Sequence, residues 1–234
     1  MAVVVCQGSR SPRTAVKPRR SPLEKVISEN SLSIALFGLF LLSMIGQSLS
    51  GWFAYNRSLQ TGHIQEIGFI AYLGTGNFLD GILSNWQAAI LQLAVLINFG
   101  SALRQKGAAH SRKVESKNRM RDGRIARRPT WHDWLYANSL SLAFGGMFLA
   151  VFLLHILFGA WKHNEDQALR HLPPDSLAAY AVSSEFWFSV FQCWEAEFAS
   201  IGIYIVLSIF LRQENSSESK PVGASDAQTG GANE

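Results

Sequence analysis

Cysteine is nearly absent from this chain: there are two, Cys6 and Cys193, far apart. No disulfide framework, C-x-x-C redox pair or cysteine-based metal site can be built from them. Charge is also scarce, at 16% of 234 residues against 48% hydrophobic, which is the composition of a polytopic membrane chain. A glycine-rich phosphate loop, an H-E-x-x-H signature and a nucleophile elbow are all missing. The sequence is therefore read as non-enzymatic, with no cofactor and no metal. His63 and His171 fall at matching places in two loops, and two ligands alone are a weak metal signal.

Present instead are four long apolar runs, Ser31 to Trp52, Ile82 to Leu103, Ser139 to Trp161 and Phe186 to Leu211. Each can cross a hydrocarbon core of ~30 Å at about 1.5 Å per helical residue. A soluble four-helix bundle would need polar residues every third or fourth position, and stretches such as SIALFGLFLLSMI lack them. The expected fold is all-α, a polytopic membrane protein of four transmembrane helices. Residues 1–29 form a basic tail too weakly apolar for a cleaved signal peptide, so the first run reads as an uncleaved signal anchor.

Eighteen of the 21 lysines and arginines precede the first run, follow the last or lie between the second and third. Only Arg57, Lys162 and Arg170 fall in the other two loops. The positive-inside rule then makes both termini and the central loop cytoplasmic in a multi-pass protein. The basic linker, residues 113–137, has no folded nucleic-acid recognition motif. It either rests on anionic lipids of the bilayer or only sets topology. Trp131 and Trp134 mark the interface beside it, where His132 and Asp133 read as an interface anchor. Residues 214–234 are small and polar and are expected to be disordered.

Offsetting the chain by 108 residues aligns it with itself without a gap. Asn30-Ser-Leu-Ser falls on Asn138-Ser-Leu-Ser, His63 on His171, Tyr72 on Tyr180, Trp86 on Trp194, and Leu103-Arg-Gln on Leu211-Arg-Gln. Residues 30–112 share 22 identities over 83 positions with the copy that begins at Asn138. Shared leucine content would not match asparagines, a tryptophan and an Arg-Gln pair, so the chain reads as an internal repeat. The units are 30–112 and 138–213, two parallel two-helix repeats resembling a fused dimer of hairpins. Thr75 and Ser183, at equivalent positions, are expected helix N-caps.

N-S-L-S, a G-Q pair, N-W or W-E-x-E-F, and a terminal L-x-Q followed by a Ser-rich tail together resemble a bacterial family of short, uncharacterised membrane proteins, a domain of unknown function. The resemblance implies a two-helix unit in a bacterial inner membrane and no assigned activity. The first copy carries Gln87 and Ala89 where the second has Glu195 and Glu197, and the second has Leu154-His155 in place of Gly46-Gln47.

These departures define the candidate polar site: His155, Glu195, Glu197, Ser200, Tyr204, Gln47 and Gln87. Glu195 and His155 each lie 17 residues from a cytoplasmic helix end, ~25 Å along, near the outer edge of the hydrocarbon. Two residues apart on a helix means about 200° of rotation, so the two glutamates face differently. Glu197, Ser200, Tyr204 and Ser208 share a stripe, and Glu197 is expected to pair with His155. Three readings stay open: outward interfacial acids, a clamp between helices, or a transport or proton site. The partners are the bilayer and a second copy or another membrane protein, with no nucleic acid.

Overall fold

A computed structural model describes residues 21–111 and 130–230. The basic N-terminal tail with Cys6, and most of the basic linker with its anionic-lipid reading, lie outside the described residues. Within them the chain is all-helical. Four short helices, α1 (Pro22–Glu29), α3 (Phe69–Tyr72), α5 (Trp131–Ala137) and α7 (Leu177–Ala181), alternate with four long ones, α2 (Ser31–Thr61), α4 (Gly76–Ala102), α6 (Ser139–Leu169) and α8 (Ser184–Phe210). All four long helices have the length and apolarity to cross a membrane, which makes this a multi-pass membrane protein.

The long helices outrun the apolar segments that announced them. At 31 residues and about 1.5 Å per residue, α2 and α6 are each ~46 Å long, some ~15 Å more than the hydrocarbon requires. Leaving the apolar run does not stop a helix; a capping signal does. Ile64 N–H donates to Leu59 O at 2.9 Å and His63 N–H to Gln60 O at 3.0 Å, while Leu172 and His171 repeat the pattern onto Gln167 and Ala168 at 3.0 and 3.1 Å. These are Schellman closures, and both histidines take the left-handed φ of 57° that such closures require. The matched histidines therefore end α2 and α6.

The other matched polar residues also have local work. Asn30 donates its amide to Val26 O at 2.9 Å and Asn138 to Trp134 O at 2.8 Å, each tying off the short helix before a long one begins. Asn56 exchanges two hydrogen bonds with the backbone of Ile67, and Asn164 does the same with Asp175, at 2.8 to 3.0 Å. As expected, Thr75 and Ser183 cap α4 and α8, accepting from Phe78 and Phe186 N–H. His132 and Asp133 belong to α5, where Asp133 closes a capping box with Thr130. The Thr130 N–H and hydroxyl hold the Asp133 carboxyl below the usual carboxylate range.

The chain divides into two compact units, Met1–Ser50 and Gly51–Glu234, so the division falls inside α2 and not at the linker. In the first, α1 and the start of α2 present apolar side chains outward, with Ser48 the buried one among its described residues; such a surface suits lipid. In the second, α4 packs along α6 and, more lightly, against α8. Gly76 makes the first contact possible: a Cβ there would lie 2.4 Å from Lys162 N and 2.9 Å from its Cα. Aromatic side chains stand between α6 and α8, Phe152 meeting Phe186, Trp187 and Trp194, around a core of Ala160, Tyr180, Phe186 and Val190.

The expectation of a disordered tail does not hold for residues 214–230. Lys220 is buried and its ammonium donates to three tail carbonyls, those of Ser225, Asp226 and Gln228, each at 3.2 Å. Gly107 N–H donates to Thr229 Oγ1 at 2.8 Å and Gly230 N–H to Ala108 O at 3.1 Å. A polar composition predicts disorder only when no internal partner satisfies the backbone, and here a single buried ammonium supplies three bonds.

Candidate functional site

Where α4 begins and the apolar part of α6 ends, three titratable side chains converge. Asp80 is the one charged residue of α4, and it is buried. Lys162 Nζ donates to its Oδ2 at 2.9 Å. His155 is 0% exposed and places Nε2 3.3 Å from Oδ1. That approach is out of line for a hydrogen bond, so both imidazole nitrogens and Asp80 Oδ1 stay without one. Spacing puts His155, Gly159 and Lys162 on one face of α6, and the absence of a side chain at Gly159 leaves room for its neighbours. A Cβ at that glycine would lie 2.6 Å from the Tyr180 hydroxyl and 3.0 Å from Asp80 Oδ1. Burial raises the Tyr180 phenol above its ordinary value, and the charges of Asp80 and Glu185 push the same way.

One turn beyond Lys162, Glu165 accepts from Gly76 N–H at 3.1 Å and Asn77 N–H at 3.3 Å. A carboxylate from α6 thus occupies the amino end of α4, where unpaired N–H groups and the helix dipole both favour an anion. Further out, His163 lies between Asp175 and Glu185 at 2.9 and 3.1 Å, joining α6 to the loop before α7 and to the start of α8. Among the described residues no group of three or more His, Cys, Asp or Glu is arranged to hold a metal ion.

The expected pairing of His155 with Glu197 is not what the structure has: the carboxylate beside His155 is Asp80. The expectation took consecutive helices as neighbours, whereas α6 lies closest to α4, and bulky aromatics separate it from α8. Glu195 is exposed and Glu197 half-buried, and neither side chain has a hydrogen-bond or ion-pair partner among the described residues. The backbone carbonyl of Glu197 accepts from Gln92 Nε2 at 2.8 Å and from Ser200 Oγ at 2.8 Å. Ser200 Oγ also accepts from Gln92 at 2.9 Å, a contact between residues 108 apart. Tyr204 donates to Glu218 O at 2.8 Å near the other end of α8, so it belongs to a different place from His155. Gln47 is exposed in the first unit.

Gln87, which stands where the second copy has Glu195, is fully buried. Its Nε2 donates to Ser84 O at 3.1 Å and its Oε1 accepts from the Trp194 indole at 2.8 Å. A glutamine can answer both an indole N–H and a carbonyl in a dry site, which a carboxylate cannot. Asp80, Lys162, Glu165 and Gln92 were not anticipated. The available signal was one acid in an otherwise uncharged 27-residue helix, facing a helix whose polar turn starts with lysine.

A family model described as a domain of unknown function (DUF6766) matches residues 23–231. No curated protein and no solved structure matches the chain.

Proposed function

Because the chain belongs to this family of unknown function, its role has to be argued from its own geometry, and we propose that it is a non-catalytic scaffold that holds or engages a membrane partner. The observation that carries this reading is how the polar groups are used. Asp80 with Lys162, Glu165 with the first N–H groups of α4, Gln87 with Trp194, and Gln92 with α8 each join one helix to another. Groups that line a route for solute would face water, whereas these satisfy one another. The two-helix repeat supports an origin by tandem duplication, the two units running parallel as a fused dimer. The distribution of lysine and arginine supports cytoplasmic termini, and the resemblance supports a bacterial inner membrane. A reporter fused after Gly123 is expected on the cytoplasmic side, and a periplasmic signal there sinks the orientation.

One observation favours a second reading, a small proton-conducting protein. His155 is wholly buried with both ring nitrogens unbonded beside a carboxylate, an arrangement able to take up a proton. Reconstituted liposomes under a pH gradient separate the two. The scaffold reading expects leakage equal to that of protein-free vesicles, and a flux abolished by Asp80→Asn or His155→Gln overturns it.

A further inference from the structure

The C-terminal ends of α4 and α8 do not close on each other. Between them lies a cavity of about 260 Å³, walled by apolar residues including Leu96, Phe99, Ile201 and Ile205, with Arg104 and His110 at its rim. That volume is just below the ~300 Å³ at which small-molecule pockets begin, which fits a length of hydrocarbon chain better than a rigid ligand. A cation stands at one end of the apolar space, so the complementary shape is an anion with an apolar tail.

The chain contains its own comparison. Arg104 and Arg212 are 108 residues apart, and their Nη1 groups do the same local work. Arg104 donates to Leu103 O and Ser101 O at 2.9 and 3.3 Å, and Arg212 to Leu211 O and Ile209 O at 2.9 and 3.0 Å. The second terminal nitrogen separates them. In Arg212 it donates to the Asp226 carboxylate and to Ala224 O, both at 2.9 Å. Arg104 has no carboxylate partner among the described residues. Glu218 does reach this rim, but its carboxylate pairs with His110 at 2.9 Å. The residue in register with Asp226 is Asn118, and residues 112–121 contain five lysines and arginines against one acid, Glu115. Among the described residues the charge that the tail supplies to Arg212 has no counterpart at Arg104, beside an apolar cavity.

We infer that this cavity takes an acyl chain of an anionic phospholipid whose phosphate is held by Arg104. Guanidinium and phosphate match in a two-point hydrogen bond, and the chain fills the space between α4 and α8. The inference does not depend on either reading of the outer polar cluster.

Native mass spectrometry of the full-length protein, incubated with phosphatidylglycerol or phosphatidylcholine, tests it. Arg104→Gln is expected to reduce phosphatidylglycerol retention about fivefold, the factor that corresponds to one basic residue at an anionic surface, and to leave phosphatidylcholine retention unchanged. Gly100→Leu keeps the arginine and fills the cavity, since a Cβ there meets nothing within 4 Å; it should lower phosphatidylglycerol retention to a similar degree. Lys25→Gln, a cation that does not line the cavity, should leave retention intact. Wild-type retention by either cavity variant overturns the site, and so does an equal loss with Lys25→Gln, which would mark a general charge effect. Displacement of the lipid by glycerol phosphate as readily as by phosphatidylglycerol would overturn the part given to the acyl chain.

Discussion

Breaking the Asp80–Lys162 pair from its two sides should give unequal results, and the inequality tests the site's construction. The Asp80 side chain is 8% exposed and that of Lys162 38%. Lys162→Met strands a carboxylate in a dry place, with only the misaligned edge of His155 beside it. Loss of one partner of a buried pair costs about 3–5 kcal/mol, so about 3 kcal/mol is expected here. Asp80→Asn leaves an ammonium that is already partly solvated and can turn to water or headgroups, so about 1 kcal/mol is expected. The double variant removes both charges and should stay near about 1–2 kcal/mol, a coupling of about 2 kcal/mol. The measurement is equilibrium unfolding of the purified protein in micelles titrated with a denaturing detergent, followed by tryptophan fluorescence. Equal losses from the two single variants, a reversed order, or additivity in the double variant would refute the reasoning.

Four further outcomes can be read with the same assay. Gly76→Ala places a methyl against the α6 backbone, with no flexible side chain to yield, and should cost about 1–3 kcal/mol through forced separation of α4 from α6. Glu165→Gln weakens the carboxylate cap on α4 and should cost about 1 kcal/mol; an unchanged midpoint would show that the cap contributes nothing. Gln87→Leu leaves the Trp194 N–H unpaired in the core and should cost about 1–3 kcal/mol. Glu195→Gln, on an exposed side chain, should stay within about 0.5 kcal/mol, and a loss as large as that of Gln87→Leu would contradict the placement of both residues.

The spans were legible in the sequence because hydropathy acts over some twenty residues and lipid allows only a helix there. Their outer ends were not legible, because what closes α2 and α6 is a left-handed histidine, a residue that does not advertise a cap as glycine does. The candidate site was legible only in part. His155 and Gln87 belong to the expected set and are buried, yet the partner of His155 was misassigned, since a loop fixes which helices follow each other but not which pack. Glu195 and Glu197 drew attention as acids in an apolar helix, while Asp80, equally isolated, was hidden by its position near the start of α4. The order of the tail was beyond reach because it depends on where one ammonium is buried.

The polar cluster also bears on how such a molecule could be built. At the 108-residue offset, Asp80 corresponds to Phe188, His155 to Gln47, Lys162 to Ala54 and Glu165 to Arg57. Every charge in the α4–α6 clamp thus has a neutral or opposite residue at the position 108 residues away. Under the duplication proposed above, a hairpin pairing with an identical copy would have carried the clamp twice or not at all. Two fused and independently varying halves can carry it once. The two partners differ in what each could bear alone: the Lys162 side chain is 38% exposed and its amine reaches water, whereas the Asp80 side chain, 8% exposed, would be a stranded carboxylate without it. As a pair they hold α4 against α6 once, an arrangement that two identical hairpins have no means to specify.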